Sequence, residues 1–189
     1  TDGEVVVYGP NVMKGYHNRP EDTKAVLTPD GGFRTGDRGR LDKDGYLFIT
    51  GRIKEQYKLE NGKFCFPVQL EENICLCSLV QQAVVYGMNR PYNVCIVVPD
   101  FDVLLQFARE KGLPTDVKEL VQRQDIIDMV AEAVTTQLKG KFGGYEIPKK
   151  FILLPEPFSL DNGMLTQTMK LKRKVIMDKL NNQIETLYQ

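Results

Sequence analysis

Hydrophobic and turn-forming positions in the first third of the chain follow the pattern of short β-strands. A β-rich run covers residues 4–8, and the turn signal Asp44-Gly45 comes just before another such run at residues 46–50. Pro20 suits the first turn of a short helix that follows it. The sequence therefore predicts a small β-rich unit at this end of the chain.

From residue 67 onward, the apolar spacing alternates between the helical and the extended type. In the clearest helix, Ile126, Val130, Val134 and Leu138 recur every four residues along one face. The pattern predicts helices at residues 67–76, 100–111, 125–138 and 170–188, and strands at residues 83–86, 94–98 and 151–154. The expected fold class is α+β, with a compact second part in which helices flank a small mixed sheet.

The balance of charge limits the partners that the chain can attract. It carries 25 Lys and Arg against 25 Asp and Glu, a formal net charge of zero. Composition therefore offers no general attraction to nucleic acid or to an anionic membrane, and no nucleic-acid partner is expected. Residues 139–189 nevertheless hold 9 basic and 5 acidic side chains. Any phosphate chemistry is expected to be local and toward this basic end.

The cysteines and the single histidine do not form a metal-binding pattern. Cys65, Cys75, Cys77 and Cys95 include no Cys-x-x-Cys pair. We expect reduced thiols, no metal site on this chain and a cytoplasmic location. No apolar run approaches the roughly 20 residues needed to cross a bilayer. The sequence starts at Thr1 rather than at a methionine, so we expect a piece of a longer protein.

Two short segments carry the first candidate chemistry. Residues 33–37 read Phe-Arg-Thr-Gly-Asp, and Gly51-Arg52 follows further along the chain. Together they resemble a signature of the adenylate-forming enzymes. The resemblance implies that Asp37 accepts hydrogen bonds from both ribose hydroxyls of a nucleotide, with Arg52 beside it and Thr35 as a further nucleotide contact. The alternative is that these segments are ordinary turns in which Asp37 bonds its own backbone.

The next segment is expected to contain a hinge and then a loop. In the adenylate-forming family, the residue matching Lys54 is the hinge about which the C-terminal domain rotates between two half-reactions. A hinge requires only a few backbone dihedrals that absorb a large change. The following loop resembles the one that reaches the active site for thioester formation, which implies that Lys58 and Gly62 contribute there. The alternative is a solvated β-hairpin with alternating charges.

A third segment lies near the end of the chain. Residues 165–174 read Leu-Thr-Gln-Thr-Met-Lys-Leu-Lys-Arg-Lys. They resemble the terminal motif of the same family and, more closely, that of its long-chain fatty acyl-CoA synthetase branch. The resemblance implies that Lys170 is the catalytic lysine. Many relatives have glycine immediately before this lysine, where this chain has Met169, a departure associated with the long-chain branch.

The charge of this segment favours anion binding independently of the resemblance. Lys170 and a secondary basic cluster of Lys172, Arg173 and Lys174 are expected at the start of the last helix. The helix macrodipole and unpaired N–H groups favour anions there, and a phosphate-bearing ligand would relieve the repulsion among the cations. The alternative is a charged helix face left in water.

The resemblance covers nearly the whole chain and implies two parts. Residues 1–53 would be the β-rich end of the large domain, and residues 54–189 would form a mobile C-terminal lid domain. The implied enzyme is an AMP-forming, ATP-dependent long-chain fatty acid:CoA ligase, whose substrates are a fatty acid, ATP and coenzyme A. Its Mg2+ would be held by the missing N-terminal domain, which is also the expected partner of this chain. The fragment alone is expected to be inactive.

Two other interpretations remain open at this point. One is an adenylate-forming ligase that passes the acyl group to a carrier protein instead of free coenzyme A. The other is a non-catalytic module that binds a phosphorylated or acylated partner through its basic end. In each case the full-length protein is expected in the cytoplasm, and peripheral contact with membranes would be made by the full-length protein.

Overall fold

The computed structural model describes residues 3–189. The chain divides into two compact units, Thr1–Gln56 and Tyr57–Gln189, which we call the N-terminal unit and the C-terminal unit. Thr1 and Asp2, the first residues of the predicted segment 1–53, lie outside the described residues. Between residues 3 and 189, no helix combines the length and the apolar character required to traverse a bilayer.

The N-terminal unit is a three-stranded antiparallel sheet with one short helix. Its elements are β1 (Gly3–Val7), α1 (Pro20–Val26), β2 (Phe33–Leu41) and β3 (Leu47–Arg52). The strand order is β1-β2-β3, and consecutive strands are antiparallel. Helix α1 has Pro20 in its first turn, where the missing N–H has no intrahelical partner to lose. The prediction of a β-rich opening segment is confirmed.

Strand β3 leaves much of its apolar surface uncovered. Leu47, Phe48 and Ile49 are 50%, 45% and 54% exposed. Side chains of a strand alternate between the two faces of the sheet, so both faces of β3 present apolar groups to the surroundings. Helix α1 contributes no buried residue. The N-terminal unit therefore buries little of its own apolar sheet.

The C-terminal unit contains two sheets and five helices among the residues described. Its elements are β4 (Tyr57–Lys58), β5 (Phe64–Cys65), α2 (Pro67–Ile74), β6 (Val80–Tyr86), β7 (Val94–Pro99), α3 (Phe101–Lys111), α4 (Val117–Leu120), α5 (Gln124–Leu138), β8 (Lys150–Leu153) and α6 (Arg173–Thr186). Strands β4 and β5 form an antiparallel hairpin.

Strand β7 is the centre of the larger sheet, which has the order β6-β7-β8. It pairs antiparallel with β6 and parallel with β8. Cys95 and Val97 face a core shared with α2, α3 and α5, whereas Val94, Ile96 and Val98 face a second core shared with α6. Because helices cover both faces, every residue of β7 is buried. The predicted mixed sheet flanked by helices, and the α+β class, are confirmed.

Helix α3 is bounded by a capping residue at its start and by a glycine at its end. The Asp100 carboxylate accepts the N–H groups of Asp102 and Val103 at 3.1 and 3.2 Å, which caps the first turn. Gly112 ends the helix with a left-handed φ of 65°. The stripe predicted for α5, from Ile126 to Leu138, is buried.

The predicted start of the last helix is wrong. Helix α6 begins at Arg173 and ends at Thr186, so it does not cover the whole of residues 170–188. The Thr166 N–H donates to the Lys170 carbonyl at 2.8 Å, and Met169 has a left-handed φ of 60°. A right-handed helix cannot include a left-handed residue, so the chain closes a turn here before the helix starts.

One helix boundary and one additional helix also differ from the prediction. Helix α2 ends at Ile74, and Leu76 lies in the following turn with its side chain exposed. Helix α4 was not predicted, because a four-residue helix is too short to show a periodic apolar pattern. The segment after Lys54 contains the β4–β5 hairpin, in which Tyr57, Leu59 and Cys65 are buried, so it is not a fully solvated hairpin.

Candidate functional site

Asp37 and Arg52 lie opposite each other on neighbouring strands. They are paired positions of β2 and β3, and the Arg52 Nε atom is 3.0 Å from Asp37 Oδ1. Both side chains remain partly exposed, so the second carboxylate oxygen and the rest of the guanidinium fork can still be approached. The structure therefore brings together the two residues predicted to contact a ribose.

The pairing of β1 with β2 is irregular next to Asp37. Between the pairs Glu4 with Arg38 and Val6 with Arg34, β1 advances by two residues and β2 by four. The Thr35 hydroxyl lies inside this irregularity, where it donates to the Val5 carbonyl at 3.0 Å. β-Bulges of this kind redirect side chains next to functional sites.

Thr35 also fixes the backbone of the predicted ribose contact. Its hydroxyl oxygen accepts the Asp37 N–H at 3.0 Å, and the intervening Gly36 has a left-handed φ of 71°. Glycine adopts this conformation without steric strain. Thr35 thus holds the turn that presents Asp37, while its predicted role as a direct nucleotide contact stays a prediction.

Lys54 lies in the turn that follows β3. The Glu55 N–H donates to the Arg52 carbonyl at 3.2 Å, and the Ile53 N–H donates to the Gly36 carbonyl at 2.9 Å. The Lys54 side chain is exposed. Its position is two residues before the division between the compact units, which falls after Gln56. Lys54 is therefore among the last residues of the N-terminal unit, and its role as a hinge stays a prediction.

The predicted thioester-step loop is the tip of the β4–β5 hairpin. The Leu59 N–H donates to the Lys63 carbonyl at 3.0 Å, and the Gly62 N–H donates to the Leu59 carbonyl at 2.9 Å. Gly62 has a left-handed φ of 79°, and a Cβ added there would meet no atom within 4 Å. The Lys58 ammonium lies 4.8 Å from the centre of the Phe64 ring, a cation–π distance.

A buried asparagine contacts both strands of this hairpin. Asn93, fully buried, accepts the Tyr57 hydroxyl at 2.7 Å through its side-chain oxygen. Its amide nitrogen donates to the Glu146 carbonyl at 2.7 Å and contacts the Cys65 sulfur at 3.1 Å. Burial raises the pKa of the Tyr57 phenol far above its ordinary value, so this group stays a neutral donor. Sequence reasoning did not identify Asn93, because Pro91-Tyr92-Asn93 has the composition of an exposed turn.

Lys170 lies on an exposed turn of the C-terminal unit. The Met169 N–H donates to the Thr166 carbonyl at 2.8 Å, and the Lys170 N–H donates to the Thr166 hydroxyl at 3.0 Å. A β-bridge between Leu165 and Leu171 closes the stem of the turn. Met169 adopts a left-handed φ of 60°, a conformation that glycine would reach without steric cost. The turn fixes the Lys170 backbone while leaving the side chain exposed.

The secondary basic cluster is divided between two environments. Lys172 and Lys174 are exposed at the first turn of α6. Arg173 instead donates from Nη1 to the Glu71 carboxylate at 2.6 Å, and its Nη2 atom contacts the other oxygen of the same group. The expectation that all four cations crowd the helix start is wrong, because Lys170 precedes the helix and Arg173 is engaged by a carboxylate of α2.

The cysteines are free thiols, and burial makes the thiolate form of two of them unfavourable. Cys65 and Cys95 are completely buried, and burial raises the pKa of both thiols. Within residues 3–189, no three or more His, Cys, Asp and Glu side chains are grouped so that they could hold a metal ion.

The candidate residues thus fall into two sets. Thr35, Asp37 and Arg52 come together in the N-terminal unit, and Lys58, Gly62 and Lys170 belong to the C-terminal unit. Lys54 lies just before the division, within the N-terminal unit.

The chain is similar to known proteins along its whole length. Residues 54–189 match the family described as AMP-binding enzyme C-terminal domain. The chain is 37% identical over its full length to long-chain-fatty-acid–CoA ligase 5 from Mus musculus. It spans 28% of the length of that relative.

Solved structures show the same fold. The chain is similar to the adenylation domain of a carboxylate reductase from Mycobacterium chelonae, with a TM-score of 0.83 and 28% identity over 99% of this chain and 28% of that chain. It is also similar to the A-PCP didomain of a carboxylic acid reductase from Segniliparus rugosus in complex with AMP, with a TM-score of 0.82 and 26% identity over 99% of this chain and 25% of that one. The chain therefore belongs to the AMP-binding enzyme C-terminal domain family.

Proposed function

We propose that this chain is the C-terminal part of a long-chain fatty acid:CoA ligase. In the first step, a fatty carboxylate attacks the α-phosphate of ATP to give acyl-adenylate and pyrophosphate. In the second, the thiol of coenzyme A attacks the acyl carbon and AMP leaves. The names of relatives such as the mouse long-chain-fatty-acid–CoA ligase support this assignment. We place the parent protein in the cytoplasm, with peripheral membrane contact made by the parent protein.

The division between compact units carries the mechanistic proposal. It separates Lys170 from Asp37 and Arg52. A body attached through a short link can rotate by changing a few dihedrals, and we assign that change to Lys54. Residues 54–189 would then be the lid, and residues 1–53 the end of the large domain.

Exposed apolar strand surface supports the second of these assignments. Leu47, Phe48 and Ile49 are about half exposed although a three-stranded sheet needs a packed face to be stable. Contiguous exposed apolar groups mark surfaces that another protein part covers. We assign that cover to the remainder of the large domain, which also holds Mg2+.

Asp37 and Arg52 suit recognition of a ribose. A carboxylate offers two acceptor oxygens side by side, which match two vicinal hydroxyl donors. Arg52 holds one oxygen at 3.0 Å and so restricts the rotation of the Asp37 carboxylate before any ligand binds. Pre-orientation lowers the entropy lost when the nucleotide is bound.

Lys170 supplies positive charge for the first step. An ammonium group about 4 Å from a phosphate oxygen contributes on the order of 4 kcal/mol of attraction at an effective dielectric near 20. Only the share gained between the ground state and the transition state accelerates the reaction. In the second step, rotation withdraws Lys170 and presents the hairpin that carries Lys58 and Gly62.

The test uses Lys170→Ala in the parent protein. ATP–pyrophosphate exchange reports adenylation, and thioester formation from supplied acyl-adenylate reports the second step. Adenylation should fall by about a hundredfold to a thousandfold, as on removal of one preorganised charge. The second step should survive. Lys118→Ala, at an exposed lysine of α4, is the matched control and should leave both steps unchanged. Loss of both steps in a folded Lys170→Ala protein contradicts the assignment.

A carrier protein is a second candidate acceptor. The similarity to an A-PCP didomain favours it, because that chain includes a further domain next to the adenylation domain. Supplying the parent protein with acyl-adenylate and either free coenzyme A or a phosphopantetheinylated carrier protein separates the two. Transfer to the carrier alone would reject the coenzyme A ligase.

A further inference from the structure

A buried carboxylate connects three elements of the C-terminal unit. Glu71 of α2 is 6% exposed. Its Oε1 atom accepts the Val85 N–H of β6 at 2.7 Å. The same carboxylate receives both terminal nitrogens of Arg173, the first residue of α6. A bidentate pair of this kind fixes the direction of both side chains as well as their separation.

The position of Arg173 makes this contact important for the helix start. The first turn of α6 has no acidic residue and no side-chain cap, and Lys172 and Lys174 flank Arg173. Cations at a helix N-terminus are repelled by the macrodipole and by one another. The Glu71 carboxylate offsets this repulsion at one defined point, so the start of α6 is held against α2 and β6.

The turn that carries Lys170 is built directly onto this helix start. Arg173 follows Lys170 by three residues. Between them, Leu171 forms the bridge to Leu165, and the Lys172 N–H donates to the Met164 carbonyl at 2.8 Å. The stem of the turn therefore ends where Arg173 is clamped, and a shift of α6 would move the Lys170 backbone with it.

We propose that Glu71 and Arg173 are positioning residues for Lys170 in the adenylation step. The inference rests on the function proposed above for Lys170. Arg173 acts through the protein rather than by binding a phosphate, because its guanidinium fork is occupied by Glu71. A displacement of about 1 Å from a productive geometry can lower a rate by about a hundredfold. Breaking the pair should therefore impair the step that uses Lys170 and spare the thioester step.

The experiment measures both half-reactions in the parent protein with Arg173→Lys, Glu71→Gln and the double variant. Lysine keeps the charge but cannot bridge both carboxylate oxygens. Each single variant should lower the kcat of ATP–pyrophosphate exchange about tenfold to a hundredfold, with the KM for ATP changed less than about threefold. Because both act through one contact, the double variant should lose no more than the worse single variant. Thioester formation from acyl-adenylate should stay within about twofold.

Arg90→Lys is the matched control. Arg90 forms an ion pair with Glu185 near the other end of α6, with similar exposure of the arginine side chain. Weakening this ion pair with Arg90→Lys should leave adenylation unchanged. Hydrogen exchange of the amides of residues 165–171 should become faster in Arg173→Lys and not in Arg90→Lys.

Several results would overturn the inference. One is normal exchange activity in both single variants. Another is a rise in the KM for ATP without a fall in kcat, since that indicates direct phosphate binding by Arg173. Strictly additive losses would also reject it. If Lys170→Ala is inactive in adenylation while the pair variants are normal, only this inference fails. If Lys170→Ala is fully active, the proposed function itself fails.

Discussion

Gly87 is the position where one added methyl group should have the largest effect on the C-terminal unit. A Cβ there would lie 2.2 Å from Asn93 Oδ1 and 3.0 Å from Leu59 Cδ2. The φ of Gly87 is not positive, so alanine would meet no backbone strain at this residue. The effect of Gly87→Ala should therefore come from the overlap alone.

The change in the free energy of unfolding depends on the side chain that the new methyl group must displace, which is that of Asn93. Asn93 is fully buried and accepts the Tyr57 hydroxyl at 2.7 Å. Overpacking costs about 1–3 kcal/mol. Displacing the Asn93 side chain leaves a buried phenol unpaired, at about 1–3 kcal/mol more. Alanine lowers the entropy of the unfolded chain, which returns about 0.4–1 kcal/mol. Gly87→Ala should thus lower the free energy of unfolding by about 3 kcal/mol.

The assay is urea unfolding followed by far-UV circular dichroism, with hydrogen exchange at core amides of β7. The exchange measurement is needed because the chain has two units and one optical transition could mix them. Gly144→Ala is the control, since a Cβ at Gly144 meets no atom within 4 Å. It should stabilise by about 0.4–1 kcal/mol. Equal stability of the two variants would refute the packing argument.

Three further predictions concern single local features. Asp100→Ala removes the cap of α3 and should lower the free energy of unfolding by about 1 kcal/mol, measured by urea titration. Burial raises the pKa of Tyr57, so its contribution to the free energy of unfolding is fully present below about pH 10 and is lost as the pH rises further. Unfolding curves measured between about pH 9 and 11 should therefore show a smaller loss of stability in Tyr57→Phe than in the unchanged chain. Met169→Gly should raise the thermal midpoint through relief of about 0.5–1 kcal/mol at φ 60°, whereas Met169→Ala should not.

Local sequence patterns predicted the elements whose signals act over a few residues. The predicted apolar stripe of α5 is buried, and the helix predicted at residues 100–111 is α3. Each of these depends on contacts within one helix or on one face of it. The predicted start of α6 was wrong because the charged and apolar spacing of a helix continues through Lys170. Nothing about a methionine side chain indicates the left-handed backbone that Met169 adopts.

The sequence by itself determined the α+β class, the β-rich opening segment, most helices and, through its motifs, the candidate residues. These features depend on neighbours in the chain or on short motifs that a one-dimensional pattern records. Only the tertiary structure decided which polar side chains meet. Glu71 contacts Arg173 across about 100 residues of chain, and Asn93 joins Tyr57 to the Glu146 carbonyl. A buried polar group needs a partner, but its type and position do not reveal which distant residue folding will bring to it.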